Sequence, residues 1–203
     1  MPISHKHKSI FVHIPKCAGS TVEKTLEIYG SDNKGNNNIL DKDILFGHNV
    51  QHYTYDEIMK NVGKDVSDYF SFSFIRNPWD RMVSEFFWRK PWDQEIKNHS
   101  FSDFIERICD FDLNHPEMCP HFIEQYKFIL DKNGNKLVDF IGRTENFNKD
   151  FDYIIKKLGI IDFQSVNKTV HKNYTSYYNE KTRQMIFNKY KKDIQYFDYK
   201  FQN

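Results

Sequence analysis

The sequence lacks a long apolar run and a large net charge, and its start predicts no secretory leader. No apolar stretch approaches the roughly 18–20 residues that a membrane-spanning helix requires, and the basic start MPISHKHKSI lacks the apolar core of a signal peptide. With 29 basic and 28 acidic side chains in 203 residues, the formal charge is +1. No global field therefore recruits nucleic acid or an anionic membrane. We expect a soluble, cytoplasmic protein with no nucleic-acid partner and no membrane span.

Cysteines are few, and no linker divides the chain. The three cysteines, Cys17, Cys109 and Cys119, are an odd number and do not form the pattern of a disulfide framework. Neither a repeat nor a Pro/Ser-rich linker interrupts the sequence. Hydrophobic residues make up 39% of the chain and aromatic residues 17%, which suits a folded core. These features predict a single domain over residues 1–203.

Strand-like and helix-like stretches alternate along the chain. The predicted strands are residues 9–14, 43–48, 69–75 and 137–142. Apolar residues at helical spacing predict five helices, whose first apolar positions are Val22, Trp79, Phe101, Phe147 and Ile186. Polar stretches at 30–38 and 131–135 predict loops, the second a hairpin turn. The order predicts an α/β fold of three layers, P-loop-like, with a central, mostly parallel sheet flanked by helices.

The segment FVHIPKCAGST, residues 11–21, joins a predicted strand to a predicted helix. It resembles a phosphate-binding loop, but the order G-x-x-x-x-G-K-[ST] is absent because Lys16 precedes Gly19. A helix N-terminus favours an anion, and the hydroxyls of Ser20 and Thr21 would add donors while Lys16 adds a mobile cation. Gly19 would let the backbone approach the ligand closely. The alternative is a tight turn followed by a helix that a Ser20–Glu23 capping box begins.

A second strand–turn–helix segment, FSFIRNPWDRMVSEFF at residues 72–87, carries two arginines and a serine. Arg76 stands at the end of the predicted strand, and Arg81 shares a helix face with Ser84 by spacing. A guanidinium binds phosphate oxygens bidentately, and a serine hydroxyl can support it. The segment therefore predicts a second anion site. The alternative is that the arginines pair with acidic neighbours such as Asp80 or Glu85.

The two segments together resemble the sulfotransferases that use PAPS (3′-phosphoadenosine 5′-phosphosulfate). The similarity rests on HIPKCAGST (13–21) and IRNPWDRMVSEF (75–86), and is greatest to the carbohydrate-type branch with heparan sulfate 2-O-sulfotransferases and bacterial relatives. In that family the first motif holds the 5′-phosphosulfate and the second the 3′-phosphate. The resemblance implies that the cofactor-binding residues are Lys16, Ala18, Gly19, Ser20, Thr21, Arg76 and Ser84. Cys17 stands where threonine is usual, so that hydroxyl contact is lost.

The resemblance extends to two later segments. FIGRTENF (140–147) is similar to a strand-to-helix segment of the family, and residues 170–199 are similar to its C-terminal section. In that section a loop closes over the cofactor before a last helix. The resemblance therefore adds His171 and Asn173 as candidate cofactor-binding residues.

Sulfuryl transfer to a hydroxyl needs a base, cations near the leaving phosphate and in-line positioning. Lys16 and helix N–H groups can serve the leaving phosphate, so no metal is required, and Lys16 is assigned a catalytic role. His48 follows Gly47 at the end of a predicted strand and matches the family's Gly-His position, where a histidine is the proposed base. The alternative for His48 is a structural hydrogen bond at the strand end. His13 is assigned a positional role.

The segment CDFDLNHPEMCPH, residues 109–121, gathers cysteines and histidines. Their spacing does not match that of structural zinc sites, and a zinc site or a Cys109–Cys119 disulfide is the less favoured interpretation. The favoured one is a wall on the acceptor side, shared with FIEQY (122–126), in which Gln125 binds a sugar hydroxyl.

The acceptor is predicted by class only. The resemblance implies a hydroxyl-bearing acceptor and favours a saccharide, although aromatic residues at a cleft would suit phenols equally. Two other functions stay open. One is a P-loop nucleotide kinase or hydrolase, which the residue order of the loop does not support. The sequence also has no clear aspartate at a strand end to hold magnesium. A non-catalytic nucleotide-binding domain on the same fold would not require the retained Lys16, Arg76, Ser84 and His48.

Overall fold

The computed structural model describes residues 3–28, 50–62, 66–110, 120–161 and 172–202. The chain divides into two compact units, each of two segments: Met1–Ile75 with Lys127–Asn167, and Arg76–Tyr126 with Lys168–Asn203. We call them the sheet unit and the helical unit. The single domain stays a prediction.

A four-stranded sheet organises the sheet unit. Its strands, in spatial order, are β1 (Ile3–Ser4), β2 (Ser9–Val12), β3 (Phe70–Ile75) and β4 (Phe140–Arg143). β2, β3 and β4 are parallel, with Val12 opposite Ser73 and Ser73 opposite Ile141, whereas β1 is antiparallel to β2. The fold is thus mixed α/β with a mostly parallel sheet, which confirms the predicted class at that level; the P-loop-like layering stays a prediction.

Eight α-helices lie in the described stretches. They are α1 (Gly19–Thr25), α2 (Tyr55–Val62), α3 (Pro78–Arg89), α4 (Phe101–Asp110), α5 (Tyr126–Ile129), α6 (Phe147–Leu158), α7 (Glu180–Lys189) and α8 (Lys191–Tyr196). Short 3-10 turns occur at Val50–His52, Pro120–Phe122, Thr144–Asn146 and Tyr174–Tyr177.

The element predictions hold with adjusted bounds. Three of the four predicted strands are confirmed over shorter ranges, and residues 43–48 lie outside the described stretches, as does the loop at 30–38. The predicted last helix is two helices, because Tyr190 leaves helical backbone geometry (φ −107°, ψ 27°) between α7 and α8. The hairpin turn is confirmed: Leu130 pairs antiparallel with Lys136, and Asp131 accepts hydrogen bonds from the backbone between them.

Aromatic side chains fill the core of the sheet unit. Phe11 and Phe72, on neighbouring strands, are fully buried with ring centroids 5.3 Å apart. Phe151 of α6 packs on Phe74 of β3 at 6.1 Å, and Ile154 lies one turn further along the same buried face. Parallel strands are covered on both faces, which explains why β2 and β3 are almost wholly buried.

A separate apolar cluster forms the core of the helical unit. It joins the buried faces of α3, α4, α7 and α8, and its members include Trp79, Met82, Phe86, Phe101, Phe104, Phe122, Ile186 and Tyr190. The residues of α3 and α4 recur at helical spacing, which is why the sequence predicted these helices correctly.

No helix in the described stretches is both long and apolar enough to cross a membrane. The cytoplasmic location stays a prediction.

Two isoleucines test the core of the sheet unit with the same chemical change. Ile154 is fully buried in α6, whereas Ile161 is fully exposed just beyond it. Ile154→Ala should lower the free energy of unfolding by roughly 2–5 kcal/mol because it removes buried methylenes and leaves a cavity. Ile161→Ala should change it by less than about 0.5 kcal/mol. Urea denaturation measures both, and equal effects would contradict the described burial.

Candidate active site

The turn between β2 and α1 contains two non-glycine residues in left-handed backbone geometry. Lys16 has φ 66° and Ala18 has φ 63°. This geometry costs roughly 1–2 kcal/mol per residue, and backbone strain of this kind clusters at ligand-binding sites. Left-handed residues in alternation aim successive N–H groups to one side, as in the backbone nests that bind anions. The loop geometry is therefore compatible with anion binding.

Burial alternates along this loop. Lys16, Ala18 and Ser20 reach the surface, whereas Cys17 and Gly19 are buried. The Cys17 N–H donates to the carbonyl of Ile14 (3.3 Å) and its Sγ lies 3.6 Å from the carbonyl oxygen of Pro15. Thr21 is also buried, at 7% exposure. The accessible side chains predicted to bind the anion are thus those of Lys16 and Ser20, with Thr21 behind them.

The predicted capping box at Ser20 and Glu23 is wrong. The helix begins at Gly19, its N-cap is Ala18, and no side chain caps it. The left-handed Ala18 brings its own carbonyl within reach of the Thr21 and Val22 N–H groups (3.1 and 3.4 Å), so the turn is closed by main chain. Glu23 does not cap the helix, because its carboxylate binds side chains from elsewhere in the sheet unit.

A buried histidine–carboxylate pair lies beneath the loop. His13 Nδ1 lies 2.8 Å from Glu23 Oε1, and both side chains are less than a tenth exposed. Gln51 Nε2 donates to both Glu23 oxygens, at 3.0 and 2.8 Å. His52 Nδ1 donates to the His13 carbonyl at 3.0 Å, and the two rings meet edge to face. The positional role assigned to His13 fits this network.

The His13 ring also explains the glycine of the loop. A Cβ added at Gly19 would lie 1.8 Å from His13 Nε2, far inside contact distance. The sequence interpretation gave Gly19 a role in close approach of a ligand. In the structure its missing side chain makes room for the His13 ring. The loop and the histidine–carboxylate pair are therefore fitted to each other.

The second motif begins the helical unit. Asn77 is the N-cap of α3: its side chain accepts from the Trp79 N–H at 3.1 Å and donates to the Lys200 carbonyl at 3.0 Å. Pro78 occupies the first helical position, where its missing N–H has no cost. These features hold the start of α3 immediately after Arg76.

Arg76 is held at its main chain and its side chain. Its N–H donates to Gln125 Oε1 and its carbonyl accepts from Gln125 Nε2, both at 2.9 Å. Its Nε donates to Asp80 Oδ2 at 2.7 Å, so the predicted acidic pairing is correct for this arginine. Gln125 is fully buried with both ends of its amide engaged. Its predicted role as a ligand of a sugar hydroxyl is therefore wrong.

Asp193 of α8 in turn holds the backbone at Gln125. The carboxylate accepts the N–H groups of Gln125 and Tyr126 at 2.8 and 2.9 Å. Burial raises the pKa of Asp193 to about 6, although these two N–H groups and the charge of Arg81 oppose that shift.

Arg81 and Ser84 are both buried in the helical unit. Arg81 is fully buried and donates through Nη1 to the Ile123 carbonyl (2.8 Å) and through Nη2 to the His121 carbonyl (2.9 Å). Both of these bonds are to main-chain carbonyls, and the pairing of Arg81 with Asp80 or Glu85 stays an open alternative. Ser84 is 2% exposed on the same helix.

His121 forms a buried pair with Glu85. Its Nδ1 lies 2.7 Å from Glu85 Oε2, and Arg89 Nε donates to the other carboxylate oxygen. Burial lowers the pKa of His121, although Glu85 opposes that shift. Burial alone would raise the pKa of Glu85, but His121 and Arg89 outweigh it and hold the pKa below its usual value. A neutral imidazole therefore donates to a buried carboxylate.

Several predicted site residues lie outside the described stretches. These are His48 with Gly47, His171, and the cluster members His115 and Cys119. The zinc and disulfide alternatives of that cluster thus stay untested. No group of three or more His, Cys, Asp or Glu that could hold a metal occurs within residues 3–28, 50–62, 66–110, 120–161 and 172–202. Asn173 is described: it is exposed and caps the 3-10 turn by accepting from the Thr175 N–H at 3.1 Å.

Comparison with known proteins identifies the family of the chain and a relative in an archaeon. A profile of the sulfotransferase family matches residues 1–200. An uncharacterized protein of Archaeoglobus fulgidus is 37% identical over 105 residues, which covers 51% of this chain and 79% of the relative. No solved structure matches the chain significantly. The family match spans both motifs and nearly the whole sequence.

The fit between Gly19 and His13 makes a specific prediction. Gly19→Ala places a methyl group 1.8 Å from His13 Nε2, and overpacking of this kind should lower the free energy of unfolding by roughly 1–3 kcal/mol. In a His13→Ala background the same change should cost less, because the clashing ring is gone. A double-mutant cycle by urea denaturation measures the coupling.

Gly134→Ala is the control. This glycine has φ 83° and nothing within 4 Å of an added Cβ, so its substitution reports backbone strain without a clash. A Gly19→Ala cost that is the same with and without His13 would contradict the proposed fit.

Proposed function

The chain belongs to the sulfotransferase family, and on that premise we propose that it transfers the sulfuryl group of PAPS to a hydroxyl of a saccharide. The observation that carries the proposal is the family match over residues 1–200, which includes both anion-binding motifs. The carbohydrate-type branch and the saccharide acceptor rest on the motif resemblance alone.

The first motif is assigned to the 5′-phosphosulfate. Lys16, Ala18, Gly19 and Ser20 would contact it through backbone N–H groups, a hydroxyl and the ammonium group, with Thr21 supporting them. Two observations support this: the left-handed backbone at Lys16 and Ala18, and the exposure of alternate residues along the loop. A helix start adds part of a positive charge.

The second motif is assigned to the 3′-phosphate. Arg76 and Ser84 would bind it, and His171 and Asn173 would contact the nucleotide from the closing loop. The fixed main chain of Arg76 supports a recognition role, since a guanidinium whose base is held in place can bind phosphate oxygens in one geometry.

The reaction is an in-line transfer at sulfur. The acceptor oxygen forms a bond to sulfur while the bond from sulfur to the bridging phosphate oxygen breaks, and adenosine 3′,5′-bisphosphate leaves. His48 takes the acceptor proton, and Lys16 with the loop N–H groups stabilises the negative charge on the leaving phosphate. No metal is needed in this scheme, unlike phosphoryl transfer, where Mg²⁺ bridges the phosphates.

Nucleotide binding tests the assignment of both motifs. Calorimetry with adenosine 3′,5′-bisphosphate should show binding that does not depend on magnesium, and ADP should bind much more weakly. Lys16→Ala and Arg76→Ala should each weaken binding of the bisphosphate by roughly tenfold or more, because each removes a charge-assisted contact. Lys24→Ala is the matched control, since Lys24 is an exposed lysine on α1.

The outcomes separate the alternatives. Preference for ADP with magnesium would favour a nucleotide kinase, and binding of neither nucleotide would contradict the proposed cofactor. Binding of the bisphosphate without sulfuryl transfer to any of a panel of saccharide and phenol acceptors would favour a non-catalytic nucleotide-binding domain.

The base has a test of its own. His48→Ala should lower turnover by roughly 10²–10⁴-fold while the affinity for adenosine 3′,5′-bisphosphate stays unchanged, because the base acts on the acceptor. His5→Ala, at an exposed histidine, is the control. Radiolabel transfer from PAPS to an accepted saccharide measures turnover, and near-normal turnover of His48→Ala would remove this residue from the role.

A further inference from the structure

We propose that Gln125 and Asp193 are positioning residues that make the protein selective for a nucleotide with a 3′-phosphate. They would act by fixing the main chain of Arg76, and the inference rests on the proposed function because it assumes that Arg76 reads that phosphate. Neither residue touches the nucleotide in this proposal.

The Gln125 amide binds both main-chain groups of one residue. Its oxygen accepts the Arg76 N–H and its nitrogen donates to the Arg76 carbonyl, each at 2.9 Å. Two bonds of opposite sense to one residue fix the amide orientation and oppose rotation of the peptide planes on either side of the Arg76 Cα. Because Gln125 is fully buried, water does not compete for these bonds.

Asp193 fixes the residue that provides this amide. It is fully buried on α8 and accepts the N–H groups of Gln125 and Tyr126 through its two oxygens. The carboxylate thus sets the backbone from which the Gln125 side chain extends. Burial of this carboxyl is unfavourable, as its raised pKa shows. An apolar residue would avoid that cost but would take away the acceptors that the Gln125 and Tyr126 N–H groups have in Asp193.

The side chain of Arg76 is fixed as well. Its Nε donates to Asp80 one helical turn ahead, and both side chains are about one-fifth exposed. With the main chain and Nε held, the planar guanidinium has a defined orientation. A small displacement of a positioned charge can lower the strength of its contacts severalfold to a hundredfold. Gln125 and Asp193 can therefore alter phosphate recognition without contacting the ligand.

The test compares two nucleotides that differ only in the 3′-phosphate. Calorimetry gives the dissociation constants of AMP and adenosine 3′,5′-bisphosphate. The dissociation constant of AMP divided by that of the bisphosphate measures the contribution of the 3′-phosphate to binding. Gln125→Glu keeps the shape but places an oxygen against the Arg76 carbonyl. Asp193→Asn keeps the shape but lacks one of the two acceptors. Each should lower the ratio by about tenfold or more while AMP binding is unchanged.

Gln184→Glu, at an exposed glutamine on α7, is the matched control and should keep the wild-type ratio. If Gln125 and Asp193 had a purely structural role, their substitution would weaken the binding of both nucleotides equally and leave the ratio of dissociation constants unchanged. An unchanged ratio in either folded variant therefore overturns this inference. Thermal unfolding shows which variants are folded, and if Gln125→Glu is not, Asp193→Asn decides. A wild-type ratio near one would instead overturn the assignment of Arg76 to the 3′-phosphate.

Discussion

The geometry of the second motif depends on the two hydrogen bonds between the Gln125 amide and the Arg76 main chain. Arg76 is the first residue after β3, so its N–H and carbonyl lie beyond the sheet ladder and before the regular bonds of α3. Buried main-chain groups need partners. Gln125 supplies an acceptor and a donor at once, through the oxygen and the nitrogen of one amide.

The same need explains the buried charges of the helical unit. Residues 120–126 comprise a short 3-10 turn, an irregular stretch and the first residue of α5, and their main-chain groups bind side chains. Arg81 donates to two carbonyls, Tyr190 donates to the Phe122 carbonyl at 3.1 Å, and Asp193 accepts two N–H groups. Side chains thus provide hydrogen-bond partners for the main-chain groups of this stretch, whereas neighbouring strands provide them in the sheet unit. Arg81 in particular binds protein carbonyls where its sequence position suggested an anion.

The sequence predicted regular elements well and individual contacts poorly, for physical reasons. Apolar periodicity depends on local spacing, and the predicted first apolar positions Trp79, Phe101 and Phe147 lie in α3, α4 and α6. The Ser20–Glu23 spacing is also a local signal, but Glu23 binds His13 and Gln51 instead, and Gln51 is 28 residues away. The bond from Gln125 to Arg76 joins residues 49 apart and leaves no mark in either segment. The polar Gln125 within FIEQY predicts a ligand of the acceptor, because nothing local indicates Arg76 as its partner.

The two motifs fix their positions by opposite means. In the first, the backbone itself is strained at Lys16 and Ala18, and the His13 ring fills the space that Gly19 leaves. In the second, the backbone at Arg76 is held by a distant buried amide. Strain needs a rigid support to persist, and the bonds of Glu23 to His13 and Gln51 supply it. The Gln125 amide holds Arg76 without backbone strain, but the backbone of Gln125 must itself be fixed. The buried carboxylate of Asp193 does this by accepting the Gln125 and Tyr126 N–H groups. Each arrangement therefore holds the main chain at a proposed anion site through buried, hydrogen-bonded side chains.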